Sequence, residues 1–195
     1  MTQKLSDVLN AIDDANRADP KLEADDTGTK QPEAYLYGLR MTSELDRLFG
    51  DAASDVLRIA ARGQHIERWL LKRAEYPEGR AGYLKWRRDQ GRAHGERLAG
   101  LMRDAGYPDH DCARVGVLLR KEGIKRDPEV QQLEDVICFT FLKWYFGPFS
   151  AKHAEDKVLD IVAKTARKMS AEARSRVLAE FDLPGALASA VKAAA

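Results

Sequence analysis

The sequence predicts an all-α protein. Apolar residues recur at spacings of three and four along most of the 195-residue chain, which is the period of a helix with one buried face. Residues that start and stop helices, chiefly Ser, Asp, Pro and Gly, bracket these segments. No segment alternates apolar and polar residues between turn signals, as a half-buried strand would. We therefore expect a single globular bundle of about eight or nine helices.

The first 105 residues predict four helices, each with an apolar stripe. Asp19-Pro20 ends the first, because the residue before proline avoids helical angles, and a polar loop over 20–31 follows. Ser54 is expected to cap the third helix, and three glycines in the fourth indicate close approach by a neighbouring helix or a ligand. The predicted spans are about 4–17, 32–49, 54–73 and 83–105.

The second half of the chain predicts further helices. Asp127-Pro128 combines an N-cap with proline at the first helical position, and residues 136–142, VICFTFL, are apolar on all sides and indicate a central buried helix. Phe146-Gly147-Pro148 is expected to break that helix. The predicted spans are about 110–122, 128–146, 150–168 and 170–181, with a last Ala-rich helix from Pro184 whose tail over 185–195 is expected to fray.

Composition indicates one soluble domain. The chain is 44% hydrophobic and 32% charged, as is usual for globular proteins, and its length suffices for a real core. No apolar run approaches the roughly 20 residues of a membrane helix, and the N-terminus lacks a signal core. Cys112 and Cys138 imply no disulfide framework. We expect a reduced, cytoplasmic protein without membrane contact.

Charge is unevenly placed along the chain. Residues 1–57 carry 6 Lys/Arg and 12 Asp/Glu, a balance of −6, whereas residues 58–103 carry 12 and 5, a balance of +7. This asymmetry suggests an anionic ligand or attraction between the two parts of the chain. The excess is too small for a dedicated DNA-binding protein.

The stretch SDVLRIAARGQHIERW (54–69) is predicted to have two faces. One is an apolar stripe that comprises Val56, Ile59, Ala60, Ile66 and Leu70. The other is basic and comprises Arg58, Arg62, His65, Trp69 and Lys72. The basic face could line an anion-binding cleft, with Arg62, Arg68, Trp69 and Arg87 as substrate-binding residues. The alternative is an ordinary charged surface, with Trp69 at the edge of the core.

Acids and histidines supply the candidate chemistry. Glu134 and Asp135 stand just before the apolar part of a helix, so a carboxylate there must pair, bind metal or shift its pKa. They are candidate catalytic residues, and the alternative is an ion pair with an arginine. His65, His94 and Asp135 form a usable ligand set for one divalent metal ion; a hydrogen-bonded core histidine is the alternative.

The segment GRAGYLKWRR (79–88) mixes Tyr, Trp and basic residues. Such mixing could stack on a nucleotide and neutralise its phosphates. It could equally dock the fourth helix on the core. No glycine-rich phosphate loop and no serine-centred nucleophile motif is present.

Five segments resemble the family of domain of unknown function 4202 (DUF4202), and together they span nearly the whole chain. The family carries no activity that the resemblance could transfer. Lys72 and Ala166 depart from its pattern, which tends to have proline and tryptophan there. The segments are YLYGLRMTSEL (35–45), AARGQHIERW (60–69), YPEGRAGYLKWR (76–87), DPEVQQLEDVICFTFL (127–142) and KTARKMS (164–170).

A more distant similarity is to HD-type helical metal-dependent phosphohydrolases. The order of AARGQHI, GRAHGERL and LEDVICFTFL is similar to theirs, whereas their His-Asp doublet is replaced by His65-Ile66 and an earlier histidine by Arg40. The resemblance implies an HD-like helical fold and a metal-dependent hydrolase that acts on a phosphorylated or nucleotide-like small molecule.

Two functions follow as hypotheses. The first is that enzyme, in which His65, His94 and Asp135 hold a metal or act as acid and base, and Glu134 orients a ligand or takes a proton. The second is a non-catalytic helical module that binds an anionic ligand, an RNA or a protein partner. A scaffold without a small-molecule site is the third interpretation.

Overall fold

Helices dominate the computed structural model, which describes residues 2–194, and the all-α prediction is confirmed. The chain divides into two compact units, one that ends at Glu122 and one that begins at Gly123. The expectation of a single domain stays a prediction.

The first unit contains five α-helices. Thr2 caps the first through its hydroxyl, which accepts from the Leu5 amide at 3.2 Å, and Ser54 caps the third as predicted, with its hydroxyl 3.0 Å from the Leu57 amide. Each cap satisfies an amide that the helix leaves unpaired. The helices are α1 (Gln3–Asn16), α2 (Glu33–Phe49), α3 (Asp55–Arg62), α4 (Gly79–Asp104) and α5 (Asp109–Arg120).

One apolar core draws on all five helices of this unit. Ile12, Met41, Leu57, Leu98 and Leu118 come from successive helices, and each is fully buried. Burial of one such side chain contributes about 1.5–3 kcal/mol. The packing of these amphipathic faces is what stabilises helices that would be marginal alone.

Of the three glycines in the predicted span of the fourth helix, Gly91 and Gly95 lie against α5, so a neighbouring helix, one of the two expected alternatives, approaches there. A Cβ atom at Gly91 would lie 3.0 Å from the Leu119 carbonyl oxygen, and one at Gly95 would lie 3.0 Å from the Cα of Gly116. The absence of side chains therefore permits the close approach of the two helices. Gly100 differs, because nothing lies within 4 Å of its Cβ position.

A short hairpin occupies the predicted polar loop, so the expectation of no strand was wrong here. Strands β1 (Leu22–Ala24) and β2 (Lys30–Pro32) pair antiparallel. The Asp25 carboxylate accepts from the Thr27 and Thr29 amides, both at 2.9 Å, and this side chain organises the turn.

The third helix ends at Arg62, so its predicted extension to about Arg73 was wrong. Two short 3₁₀ turns follow, Arg68–Leu70 and Arg73–Glu75. Leu70, which the pattern placed in the buried stripe, is 63% exposed. The helical spacing in the sequence does not produce a helix here, because side chains of other helices hydrogen-bond to the backbone beyond Arg62.

The second unit contains the remaining five α-helices of the described residues. Asp127 caps the first of them, since its carboxylate accepts from the Glu129 amide at 3.0 Å, and Pro128 occupies the first position as predicted. Ser170 caps the fourth. The helices are α6 (Pro128–Thr140), α7 (Phe146–Ser150), α8 (Glu155–Lys168), α9 (Ala171–Glu180) and α10 (Gly185–Lys192).

The predicted break at Phe146-Gly147-Pro148 was wrong. Helix α6 continues as a π-helical segment, Phe141–Tyr145, and α7 then runs through all three residues. Pro148 lies within α7, three residues after the π-helical segment ends. Helix α8 starts only at Glu155, later than expected.

None of the helices in residues 2–194 combines the length and the apolar character that crossing a bilayer requires.

A buried ion pair joins α1 to α3 in the first unit. The Arg62 guanidinium donates to both carboxylate oxygens of Asp13, at 2.6 Å each, and to the Thr42 hydroxyl at 3.1 Å. The two charged side chains are only 11% and 12% exposed. Loss of one partner would leave the other charge buried and uncompensated.

We expect Asp13→Ala to lower the free energy of unfolding by about 3 kcal/mol, because it strands the Arg62 charge. Urea denaturation followed by circular dichroism measures this loss. Asp14→Ala is the matched control, since the Asp14 side chain is 75% exposed, and its effect should stay within about 0.5 kcal/mol. Equal effects of the two changes would contradict the structural role of the pair.

Candidate functional site

Three aromatic rings from separate elements meet in the first unit. Tyr37 of α2 stacks on His65, which follows α3, with ring centroids 3.8 Å apart and planes inclined by 16°. His65 lies 6.4 Å from His94 of α4, again between centroids. The structure therefore brings together the two histidines that the sequence singled out.

Both histidines are neutral at pH 7. Burial lowers the pKa of His94 to about 4, and the charge of Arg68 acts in the same direction. Burial also lowers the pKa of His65 well below its usual range, and the charges of Arg68, Arg87 and Lys121 add to this effect. Positively charged side chains thus act on both imidazoles, and Arg68 acts on both of them.

One ring nitrogen of His94 has no hydrogen-bond partner among the described residues. A hydrogen bond to the Gln64 carbonyl opposes the fall in the His94 pKa. The buried Nε2 atom has no hydrogen-bond partner within residues 2–194, so that bond comes from Nδ1. A neutral imidazole that donates through Nδ1 leaves a lone pair on Nε2.

Arg68 stands at the start of the 3₁₀ turn after His65, and α4 fixes its position. The side-chain amide of Gln90 donates to the backbone carbonyls of Arg68, at 2.9 Å, and Leu71, at 3.1 Å. The Trp86 indole donates to the same Leu71 carbonyl at 2.9 Å. The guanidinium of Arg68 lies 4.7 Å from the centroid of the Trp86 ring. Two side chains of one helix therefore hold this segment.

The turn before Arg68 is strained and is also tied down. Glu67 has φ +50°, a left-handed angle that costs a residue with a side chain about 1 kcal/mol or more. Its amide donates to the Asn16 side chain at 3.1 Å, and its carboxylate accepts from Arg97 at 3.0 Å. Strained turns that neighbours over-determine are common at functional sites.

Arg87 is the second arginine whose charge acts on His65. Its guanidinium donates to the Tyr83 hydroxyl at 3.1 Å, and its charge lowers the pKa of Arg68, after the larger effect of burial. Neither Arg68 nor Arg87 has a carboxylate within ion-pair distance among the described residues. We name Tyr37, His65, Arg68, Arg87 and His94 the histidine–arginine cluster.

Other predicted binding residues have different surroundings. Arg62 donates to both carboxylate oxygens of Asp13 through Nε and Nη2, so we leave it out of the cluster. Trp69 follows Arg68 in the same 3₁₀ turn and is partly buried. The single helical face that was to carry them does not exist, because α3 ends at Arg62.

Glu134 and Asp135 belong to the second unit, and both are buried. The Asp135 carboxylate accepts from the Ser170 amide at 2.8 Å and from Gln131 at 3.0 Å, and thereby orders the start of α9. Burial raises the pKa of Asp135, against these hydrogen bonds. Glu134 lies 3.9 Å from the Lys168 amine. These contacts lie within the second unit; the catalytic roles of Glu134 and Asp135 and the three-residue set of His65, His94 and Asp135 stay predictions.

The side chains of the cluster determine how well it could bind a metal ion. Neutral imidazoles are ordinary metal ligands, whereas the nearby guanidinium groups repel a cation. Within residues 2–194, no three His, Cys, Asp or Glu side chains form a group suited to a metal ion. A divalent ion would therefore need an anion beside it to offset the guanidinium charge.

Sequence reasoning missed Tyr37 and Gln90 here, whereas Trp86 lies in the segment that was expected either to stack on a nucleotide or to dock the fourth helix on the core. Tyr37, Trp86 and Gln90 position His65 and Arg68, yet their contacts join residues up to 28 positions apart. One local signal existed, because Gln90 and His94 share a face of α4 at a spacing of four.

The second unit contains a cavity of about 270 Å³ between the start of α8 and α10. Its walls are mostly apolar, with Ser150, His153 and Glu155 as the polar members. This volume is at the lower end for ligand pockets. None of the predicted site residues lines it.

The helical fold and the histidine–arginine cluster define the class of protein: an all-α protein with two histidines beside positively charged arginines. The chain belongs to the family described as Domain of unknown function (DUF4202), whose model matches residues 6–191. Comparisons with curated proteins and with solved structures found no match.

We expect stability to depend on pH through His94. The unfolded chain binds a proton near pH 6.5, whereas folded His94 resists it down to about pH 4. Its contribution is therefore complete above pH 6.5 and is lost as the pH falls towards 4, by about 3 kcal/mol in all. Urea denaturation at pH 7 and pH 4.5 should show a smaller acid loss for His94→Gln than for wild type.

His110→Gln is the control for this measurement, since the His110 side chain is 80% exposed. Its acid loss should match that of wild type. An unchanged acid loss in His94→Gln would show that His94 is not the group responsible.

Proposed function

We propose that the protein binds a phosphate-bearing small molecule at the histidine–arginine cluster. The observation that carries the proposal is that Arg68 and Arg87 act on the histidine pair without an ion-pair partner among the described residues, and that the buried Nε2 atom of His94 has no hydrogen-bond partner there. The argument concerns the first unit alone.

The arrangement of charge favours an anion. Burial lowers the pKa of Arg68, and the charge of Arg87 lowers it further; the charges of both arginines add to the effect of burial that lowers the pKa of His65. A bound dianion would relieve this repulsion. The planar guanidinium fork matches the oxygens of a phosphate, which it binds by two parallel hydrogen bonds.

His94 adds a preference for a hydroxyl group. A phosphate oxygen without a proton cannot donate to the lone pair on Nε2. A ligand hydroxyl, or a water molecule, can do so. A phosphate ester with a neighbouring hydroxyl group therefore suits the cluster better than phosphate itself.

The cluster is preorganised for binding. Gln90 and Trp86 fix the backbone around Arg68, and Asn16 fixes the turn at Glu67. A group that is already held in place loses little conformational entropy when the ligand binds.

We expect Arg68→Ala to weaken binding of inorganic pyrophosphate at least tenfold, because a hydrogen bond to a charged group contributes about 1.5–3 kcal/mol. Isothermal titration calorimetry at pH 7.5 measures this change. Arg167→Ala, which removes an exposed arginine of α8, is the control and should bind as wild type. Equal affinities for all three proteins would exclude the cluster as the anion site.

The second candidate function is a hydrolase of phosphate esters, and the lone pair of His94 Nε2 favours it. In the reaction, a water oxygen bonds to phosphorus while His94 takes the water proton, and the phosphorus–oxygen ester bond breaks as the leaving oxygen takes that proton from His94. One divalent metal ion on His65 and His94 would supply additional charge to the phosphoryl oxygens.

Release of p-nitrophenol from p-nitrophenyl phosphate tests this candidate, with and without added MnCl₂. We expect His94→Ala to lower the rate by about a hundredfold or more, because general bases contribute this much, and His110→Ala to leave it unchanged. Pyrophosphate binding without any turnover would favour the non-catalytic module, which uses the cluster for an anionic ligand, an RNA or a protein partner.

A further inference from the structure

The first half of α4 has an exposed surface that the histidine–arginine cluster does not use. Residues 79–92 carry five Lys/Arg and one Asp/Glu. Arg80, Arg88 and Arg92 are exposed and have no ion pair or hydrogen bond within the part of the chain that the structure describes. Lys85 differs, because Asp89 binds it at 2.6 Å. Three exposed arginines without an ion pair among the described residues thus lie along one helix.

Large apolar and aromatic groups stand among these arginines. Tyr83 is 43% exposed and Leu84 is 47% exposed. The Tyr83 ring lies beside Trp86, with centroids 6.0 Å apart, and its hydroxyl accepts from Arg87. These contacts fix the orientation of the ring while part of it stays open to solvent. We name Arg80, Tyr83, Leu84, Arg88 and Arg92 the α4 basic surface.

We infer that the α4 basic surface binds single-stranded nucleic acid. Residues four apart are neighbours on a helix, so Arg80, Leu84, Arg88 and Arg92 form one continuous row. Guanidinium groups in a row can follow a phosphate backbone, and an exposed aromatic ring offers a stacking surface for a base. Binding of this kind tolerates different base sequences, because every base has an aromatic face.

The mixture of groups favours nucleic acid over an acidic protein segment. Carboxylates would satisfy the arginines alone. They would leave the exposed parts of the Tyr83 and Leu84 side chains uncovered, whereas stacked bases cover apolar surface and aromatic rings. The inference goes beyond the proposed function, because none of the five residues of the α4 basic surface belongs to the histidine–arginine cluster.

Fluorescence anisotropy with a labelled twelve-nucleotide oligouridylate tests the inference on the full chain. We expect Arg80→Ala/Arg88→Ala/Arg92→Ala to weaken binding at least tenfold and to make log Kd less dependent on log salt concentration, by a slope of about 2 for three lost phosphate contacts. The control, Lys152→Ala/Lys157→Ala/Arg167→Ala, removes three exposed charges of the second unit and should bind as wild type. Equal weakening by both triple variants would overturn the inference.

Tyr83 separates stacking from charge. Tyr83→Ala should weaken oligouridylate binding about tenfold, whereas Tyr83→Phe keeps the ring and should bind as wild type. A polyglutamate peptide of matched charge should fail to displace the oligonucleotide. Displacement at equal charge concentration, or an unchanged affinity in Tyr83→Ala, would overturn the inference in favour of an acidic protein partner.

Pyrophosphate distinguishes the two proposals. The arginine triple variant should still bind pyrophosphate, since Arg68 and Arg87 are intact. Oligonucleotide binding without pyrophosphate binding would refute the proposed function and leave the inference standing. The reverse result would refute the inference alone.

Discussion

The hydrogen bonds that α4 and α1 make to the backbone after α3 are the constraint on which the candidate site depends. Gln90 and Trp86 bind the carbonyls of Arg68 and Leu71, and Asn16 binds the amide of Glu67. In a continued helix, these backbone groups would have bonded to groups four residues away in the same helix. Because they are bound from outside, the chain bends, and His65 and Arg68 arrive beside His94.

The same bend creates an electrostatic problem that a ligand could resolve. Burial keeps His65 and His94 neutral, and two arginines stand near them without a carboxylate in the part of the chain that the structure describes. Elsewhere in the first unit, buried charge is matched, as Arg62 is by Asp13. The contrast separates an arginine that stabilises the fold from arginines suited to binding an anion.

The two buried carboxylates of the second unit have partners inside the fold. Glu134 and Asp135 are among the most buried acids, and their position before an apolar run suggested chemistry. Asp135 instead accepts hydrogen bonds from Ser170 and Gln131, which order the corner between α8 and α9. A buried acid needs a partner, and the sequence could not say whether that partner is a ligand or the backbone.

The sequence by itself determined the helical class, the caps at Ser54 and Asp127, and the close contact at Gly91 and Gly95, because each depends on residues within one or two turns. Tertiary structure decided where α3 stops, which arginine is neutralised, and that Tyr37 joins the histidine pair. Those outcomes depend on contacts such as Arg62 with Asp13, 49 residues apart. Local spacing holds no information on which distant group competes for a backbone carbonyl or a charge.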